Sequence, residues 1–141
     1  MTCAPRRFVL NGPACRPIRL TDTVDRAVAA ISDLGMTVVA RIDHAAAAAK
    51  AGLELRPTEV LIFGNPKAGT PLMQAAQTMG IDLPLKILIW RDEQDKTWLA
   101  YNDPHWLADR HGVAAANTAI LEAMARALSS IAAKVTSSPD E

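Results

Sequence analysis

The sequence predicts a single α+β domain closed by a long C-terminal helix. Three observations carry that prediction. Residues 36–42 and 85–90 alternate as strands do, residues 24–34 and 120–135 repeat at helical spacing, and glycine or proline marks most junctions between them. At 141 residues, 50% apolar and 21% charged, the chain suits one folded domain and lacks the composition of a disordered one.

The first residues, Met1 to Pro17, carry three prolines and no periodicity, so a loose arm is expected, with at most a short strand at Phe8 to Leu10. A brief strand at Ile18-Arg19-Leu20 is expected next. Thr21 or Asp22 then caps a helix whose Val24, Ala27, Val28, Ile31 and Leu34 share a face, and Gly35 stops it. Met36, Val38, Ala40 and Ile42 alternate with Thr37, Val39 and Arg41, the pattern of a strand with one buried face. Asp43 caps a short alanine-rich helix, His44 to Ala51, closed by Gly52.

A strand at Val60 to Phe63 leads into the loop Gly64 to Thr70, and a helix is expected from Pro71 to Met79 with Thr70 as its cap and Gly80 at its end. Leu85, Ile87 and Ile89 fall on one side of the next strand and Lys86, Leu88 and Trp90 on the other. Both faces are largely apolar, which predicts a central position. The polar turn Arg91 to Lys96 returns as Thr97 to Tyr101, an antiparallel hairpin. Asn102 or Asp103 caps a helix with Pro104 in its first turn and His111-Gly112 at its end. The final helix, Val113 to Val135, carries the stripe Ile120, Met124, Leu128, Ile131 and Val135. This divides the chain into an arm (1–17), the α+β domain (18–112) and the last helix (113–136), which either packs on the domain or pairs with its equivalent in a homodimer.

Fifteen basic and fifteen acidic side chains cancel, so no overall field draws the chain to nucleic acid or an anionic membrane surface. No run reaches the eighteen or so apolar residues of a membrane span. The apolar stretch after Arg6-Arg7 breaks at Asn11-Gly12-Pro13, too soon for an export signal. Cys3 and Cys15 lack Cys-x-x-Cys spacing and read as free thiols. A cytoplasmic protein without membrane or nucleic-acid partners is expected.

The segments ARIDHAAAAAKAGLELRPTEVLIFGNPKAGTPLMQA, IDLPLKILIW and AYNDPHWLADRHG occur in this order, and with them the chain resembles the domain of unknown function 302 family. The resemblance runs from the first helix to Gly112, about two-thirds of the chain. It implies a small α+β fold with a single mixed or mostly antiparallel curved sheet and helices packed on one face. It implies no activity, cofactor or substrate.

The candidate chemistry centres on the loop Phe63-Gly64-Asn65-Pro66-Lys67-Ala68-Gly69-Thr70-Pro71. A helix starting at Thr70-Pro71 would offer free amides and the positive end of its dipole to an anion. Gly69 would admit close approach and Lys67 would add a charge. The lysine precedes the second glycine and no Lys-Ser or Lys-Thr follows, so this is no P-loop. The same residues also read as a turn and a helix cap.

Tyr101, Asn102 and His105 follow another strand end, and if the two ends share a rim they converge with Asn65 and Lys67 on a small polar or anionic ligand. They equally read as a packed tyrosine and a cap. Lys86 shares a strand face with Leu88 and Trp90. Burial would give it a lowered pKa and a carboxylate partner from Asp43, Asp82 or Asp103, whereas snorkelling to the sheet edge would leave it ordinary. His44 opens a helix, where the dipole favours neutral imidazole. His105 and His111 are six residues apart, on different sides of a helix, and His44 is remote in sequence, so no metal motif is read. Three functions follow as expectations: a binding module at residues 64–71, an enzyme using His44, Lys86 or His105 as acid or base, and an assembly protein acting through the last helix.

Overall fold

The arm contributes its one expected strand, β1 (Phe8–Asn11), in a computed structural model that describes residues 8–11 and 19–136. Cys3 and Cys15 lie outside the described residues.

Helix α1 (Leu20–Asp33) starts earlier than expected, with Arg19 before it and no side-chain cap from Thr21 or Asp22. Leu20 belongs to the helix because it extends the apolar face: Leu20, Val24, Ala27 and Ile31 are all buried, and their spacing is helical. The strand expected at residues 18–20 is therefore replaced by this first turn, Ile18 itself lying outside the described residues. Gly35, at φ 77°, turns the chain away.

Strand β2 (Thr37–Asp43) pairs antiparallel with β3 (Thr58–Gly64), but the register shifts between Val38 and Ala40. This bulge at Val39 breaks the alternation read from the sequence. Val38 packs against the core, whereas Ile42 is 40% exposed and Val39 66%. One extra residue sends everything after it to the opposite face. Arg41 accordingly turns towards α1, bonding Asp25 at 2.8 Å and the mostly buried Glu59 at 3.4 Å. Asp43 caps α2 (His44–Lys50) as expected, accepting from the Ala46 amide at 2.9 Å.

Beyond β3 come α3 (Pro66–Ala75), a short 3-10 helix (Gln77–Ile81), β4 (Leu85–Arg91), β5 (Thr97–Asn102), α4 (Pro104–Arg110) and α5 (Thr118–Thr136). Among the described residues, five strands form one antiparallel sheet in the order β1-β5-β4-β3-β2, which puts β4 at its centre as its two apolar faces predict. Leu61, Phe63, Leu85, Ile87, Ile89, Leu99 and Tyr101 face one side and are buried. Helices α1 and α5 pack against each other and against this side. The final helix begins at Thr118, five residues later than expected, because Val113 to Asn117 form a turn in which the Asn117 amide group donates to the Val113 carbonyl. Of its predicted stripe, Met124, Leu128, Ile131 and Val135 are buried in the domain together with Leu121, whereas Ile120 is only half-buried.

The β4–β5 hairpin is held by Asp92. Its carboxylate accepts from the amides of Gln94 and Lys96, both at 2.9 Å, and from the Trp98 indole Nε1 at 2.7 Å. Trp98 stacks on Trp90 across the strands at 6.3 Å. The indole bond foremost, then the Lys96 amide, holds the Asp92 carboxyl below the usual aspartate range. A depressed folded value gives stabilisation that is present above the unfolded pKa of about 3.9 and lost as pH falls through the folded one. Tryptophan fluorescence should therefore report a hairpin transition below the ordinary aspartate range, absent in Asp92→Asn. A wild-type midpoint at or above that range would refute the assignment.

Candidate ligand-binding site

The loop after Phe63 folds differently from the anion corner its sequence suggests. Asn65-Pro66 and Thr70-Pro71 are equivalent start signals, and the chain uses the first. Asn65 is the cap, Pro66 opens α3, and Pro71 lies inside the helix. The Lys67 amide donates to the Asn65 side-chain oxygen at 3.0 Å, and the Ala68 and Gly69 amides donate to the Asn65 carbonyl at 3.0 and 3.1 Å. These donors are spent on the chain itself. Thr70 is an exposed residue of the second turn and caps nothing. A bare anion held by backbone amides, the role expected of Gly69 and Thr70, therefore has no donors here.

Asn65, Lys67, Gly69 and Thr70 nevertheless border a concave site, an open groove of about 1030 Å³ at one rim of the sheet. One wall is α3, through Ala68 and Met73, continued by Leu83, Pro84 and Leu85. A second is the end of α1 and the start of β2, through Leu34, Met36, Thr37 and Val39. The third is α5, where Ala119, Ala123 and Ala127 recur every turn beside Ile120 and Met124. Three alanines in a row take little room, and that is why a groove exists between α3 and α5. Lys67 is the only lining residue with a formal charge. Among the described residues its amine has no ion pair or hydrogen-bond partner.

The remaining candidates do not join this groove. Gly64 and Asn102 do end their strands on the same rim, since β3 and β5 both run antiparallel to β4. However, Tyr101 points to the helix side, 8% exposed, where burial first and the Asp103 charge second push its phenol upward. Asn102 is exposed, and the cap of α4 is Asp103, which accepts from the His105 amide at 2.9 Å. His105 is half-buried on α4 and outside the groove lining. Lys86 is not paired with a carboxylate. Its amine donates to the carbonyls of Pro84 at 3.0 Å and Asp82 at 3.4 Å, so the snorkelling alternative is the one realised. His44 sits at the opposite rim, because β2 ends beside the start of β3 where Asp43 pairs with Glu59. No hydrogen bond links any two of His44, Lys86 and His105, so these three do not form an acid–base pair.

One constellation escaped sequence reasoning. His111 Nε2 lies 2.6 Å from Asp82 Oδ2 and its Nδ1 lies 2.9 Å from Thr78 Oγ1, while Arg110 meets the other Asp82 oxygen at 3.2 Å. About thirty residues separate the two halves in sequence, and only the packing of the 3-10 helix beside the end of α4 brings them together. Among the described residues, no group of three or more His, Cys, Asp or Glu side chains is placed to hold a metal ion.

Fold and site thus define an antiparallel α+β sheet protein with an apolar groove on one rim. The chain matches the family described as Domain of unknown function DUF302 over residues 16–131 and belongs to it. The match reaches well into α5, beyond the Gly112 limit of the sequence resemblance. A solved structure of an uncharacterized conserved DUF302 protein from Bacillus stearothermophilus has the same fold, with a TM-score of 0.81, 15% identity, and coverage of 93% of this chain and 99% of that one. Among relatives, a protein named fluoride-specific ion channel FluC 1 of Brucella suis is 47% identical over 105 residues, which is 74% of this chain and 41% of that protein. Its Brucella abortus namesake is also 47% identical, over 39% of its length. This chain therefore spans about two-fifths of those relatives, and none of its described helices is long and apolar enough to cross a membrane.

Proposed function

We infer that this protein is a binding module for a small amphiphile, with an apolar body seated between α3 and α5 and an anionic head at Lys67. A single observation supports this reading: the groove is walled by aliphatic and methionine side chains, and the one formal charge on its lining is an unpaired amine at the start of α3. The volume matches a small-molecule site, and such sites combine apolar walls with a few orienting polar groups. Met36, Met73 and Met124 give the walls an adaptable shape. Each buried methylene contributes about 0.8 kcal/mol, so the chain length of the ligand sets affinity and Lys67 sets the sign of its head.

Thermal shift with dodecanoate, dodecylammonium and butyrate tests this. A ligand at a hundred times its Kd adds about 2.7 kcal/mol to the native state. Dodecanoate is expected to raise the melting temperature, butyrate is not, and dodecylammonium binds more weakly. Lys67→Ala is expected to weaken dodecanoate roughly tenfold, the cost of about 1.4 kcal/mol of head-group attraction. Equal binding of both head groups, or dodecanoate binding untouched by the substitution, would refute it.

The relatives favour a second reading at the level of the whole protein. Two chains named for a fluoride channel carry this segment as a minor part of their length, and here the segment has no membrane-crossing helix among its described residues. In that setting the domain acts beside a channel. The matching segment of the Brucella suis protein, expressed alone, should then bind the same amphiphile.

A further inference from the structure

We propose that Thr78, His111 and Asp82 form a hydrolytic site for small activated carboxylic esters, separate from the groove, whose lining contains none of the three. The geometry meets the requirements of an activated nucleophile: a hydroxyl within reach of an imidazole that a third group orients. Thr78 Oγ1 is 2.9 Å from His111 Nδ1, and His111 Nε2 is 2.6 Å from Asp82 Oδ2. A carboxylate can only accept, so Nε2 carries the proton given to Asp82, and neutral Nδ1 keeps its lone pair towards the Thr78 hydroxyl. Arg110 holds the second Asp82 oxygen at 3.2 Å while lying 5.1 Å over the Trp106 ring, which fixes the carboxylate from its other side. The imidazole and carboxylate side chains are only 9% and 14% exposed, whereas Thr78 is exposed. The polar relay is sheltered and its nucleophilic end faces solvent.

The step balances with an ester and water. Thr78 oxygen attacks the ester carbonyl carbon and its proton passes to His111 Nδ1. The tetrahedral intermediate collapses, the bond to the alkoxy or aryloxy group breaks, and that group leaves with the proton. Water then repeats the sequence on the acyl-threonine, releasing the carboxylic acid and restoring Thr78. Asp82 stays ionised throughout as a positioning residue. Aryl esters suit this minimal set because their phenolate leaves readily.

The test is hydrolysis of p-nitrophenyl acetate by the full chain, with quenched samples digested and mapped by mass spectrometry. The wild type is expected to exceed an equal concentration of free imidazole by about a hundredfold, the usual contribution of a positioned general base, with one acetyl group on Thr78. Thr78→Val should lose that excess and the adduct, and Thr78→Ser should keep both. Asp82→Ala should lower kcat for the ester with little change in KM, since the imidazole loses the partner that orients it. A purely structural tie between α4 and the 3-10 helix would leave kcat unmoved in a folded variant. A wild-type rate no greater than that of free imidazole, an acetyl group mapped to a lysine, or full activity in a folded Thr78→Val protein would overturn the proposal. The mapping is done on wild-type protein and does not depend on any variant folding.

Discussion

Replacing Ala123 with tryptophan is expected to abolish dodecanoate binding while leaving the protein folded. Ala123 is an exposed residue of α5 and the middle of the three alanines that line the groove. An indole there occupies the space between α5 and α3 without disturbing a buried neighbour. Displacing only four methylenes of the ligand costs about 3 kcal/mol, on the order of a hundredfold in affinity. The helix itself loses roughly half a kcal/mol in intrinsic propensity, so the melting temperature without ligand moves little. Isothermal titration of wild type and variant decides the matter. Unchanged affinity would place the ligand elsewhere and refute the groove reading, whereas Lys67→Ala separately tests the head group.

Phe63→Ala is expected to be the most damaging single change among the core positions of β3. Phe63 is 0% exposed, pairs with Val38 on one side and Leu85 on the other, and is among the largest fully buried side chains. Truncating a buried phenylalanine costs about 3–5 kcal/mol, because lost burial and the cavity left behind add together. A domain of this size has only about 5–15 kcal/mol to lose. Urea unfolding should show a midpoint falling by about a third or more at an unchanged slope. A loss under about 1 kcal/mol would mean that neighbouring side chains collapse into the space.

Elements whose signals are local were legible in the sequence. Asp43 before His44 and Asp103 before Pro104 cap their helices as read, and Gly35, Gly52 and Gly112 take the left-handed backbone that ends each helix. The β4–β5 hairpin followed from the polar turn Arg91 to Lys96, and the centrality of β4 from apolar residues on both its faces. The start of α3 was not legible, because two proline-containing start signals stand five residues apart and nothing local ranks them. Nor was the Val39 bulge, since the pattern from Met36 to Ile42 alternates without a break and only pairing with β3 reveals the extra residue.

Of the groove, the sequence points to the bordering loop and not to the helix that faces it. Asn65 and Lys67 drew notice as polar residues among glycines, while the alanines of α5 that make the groove looked like ordinary helix formers. Spacing at 119, 123 and 127, next to a bulky stripe at 120 and 124, was the available sign. His44 is a candidate through its place at a helix start after Asp43, and the antiparallel pairing of β2 with β3 sets it at the far end of the sheet. The Thr78, Asp82 and His111 contacts join distant segments that carry no shared motif, so they became visible only in three dimensions.

The irregularity at Val39 has a bearing on how crowded copies of this chain behave. Among the described residues strand β2 is last in the sheet, so its outer amides and carbonyls present a template on which a foreign strand can nucleate. A single surplus residue midway along it spoils the even ladder that fibril growth requires. Further strand addition along this edge thus meets a break in the ladder at Val39.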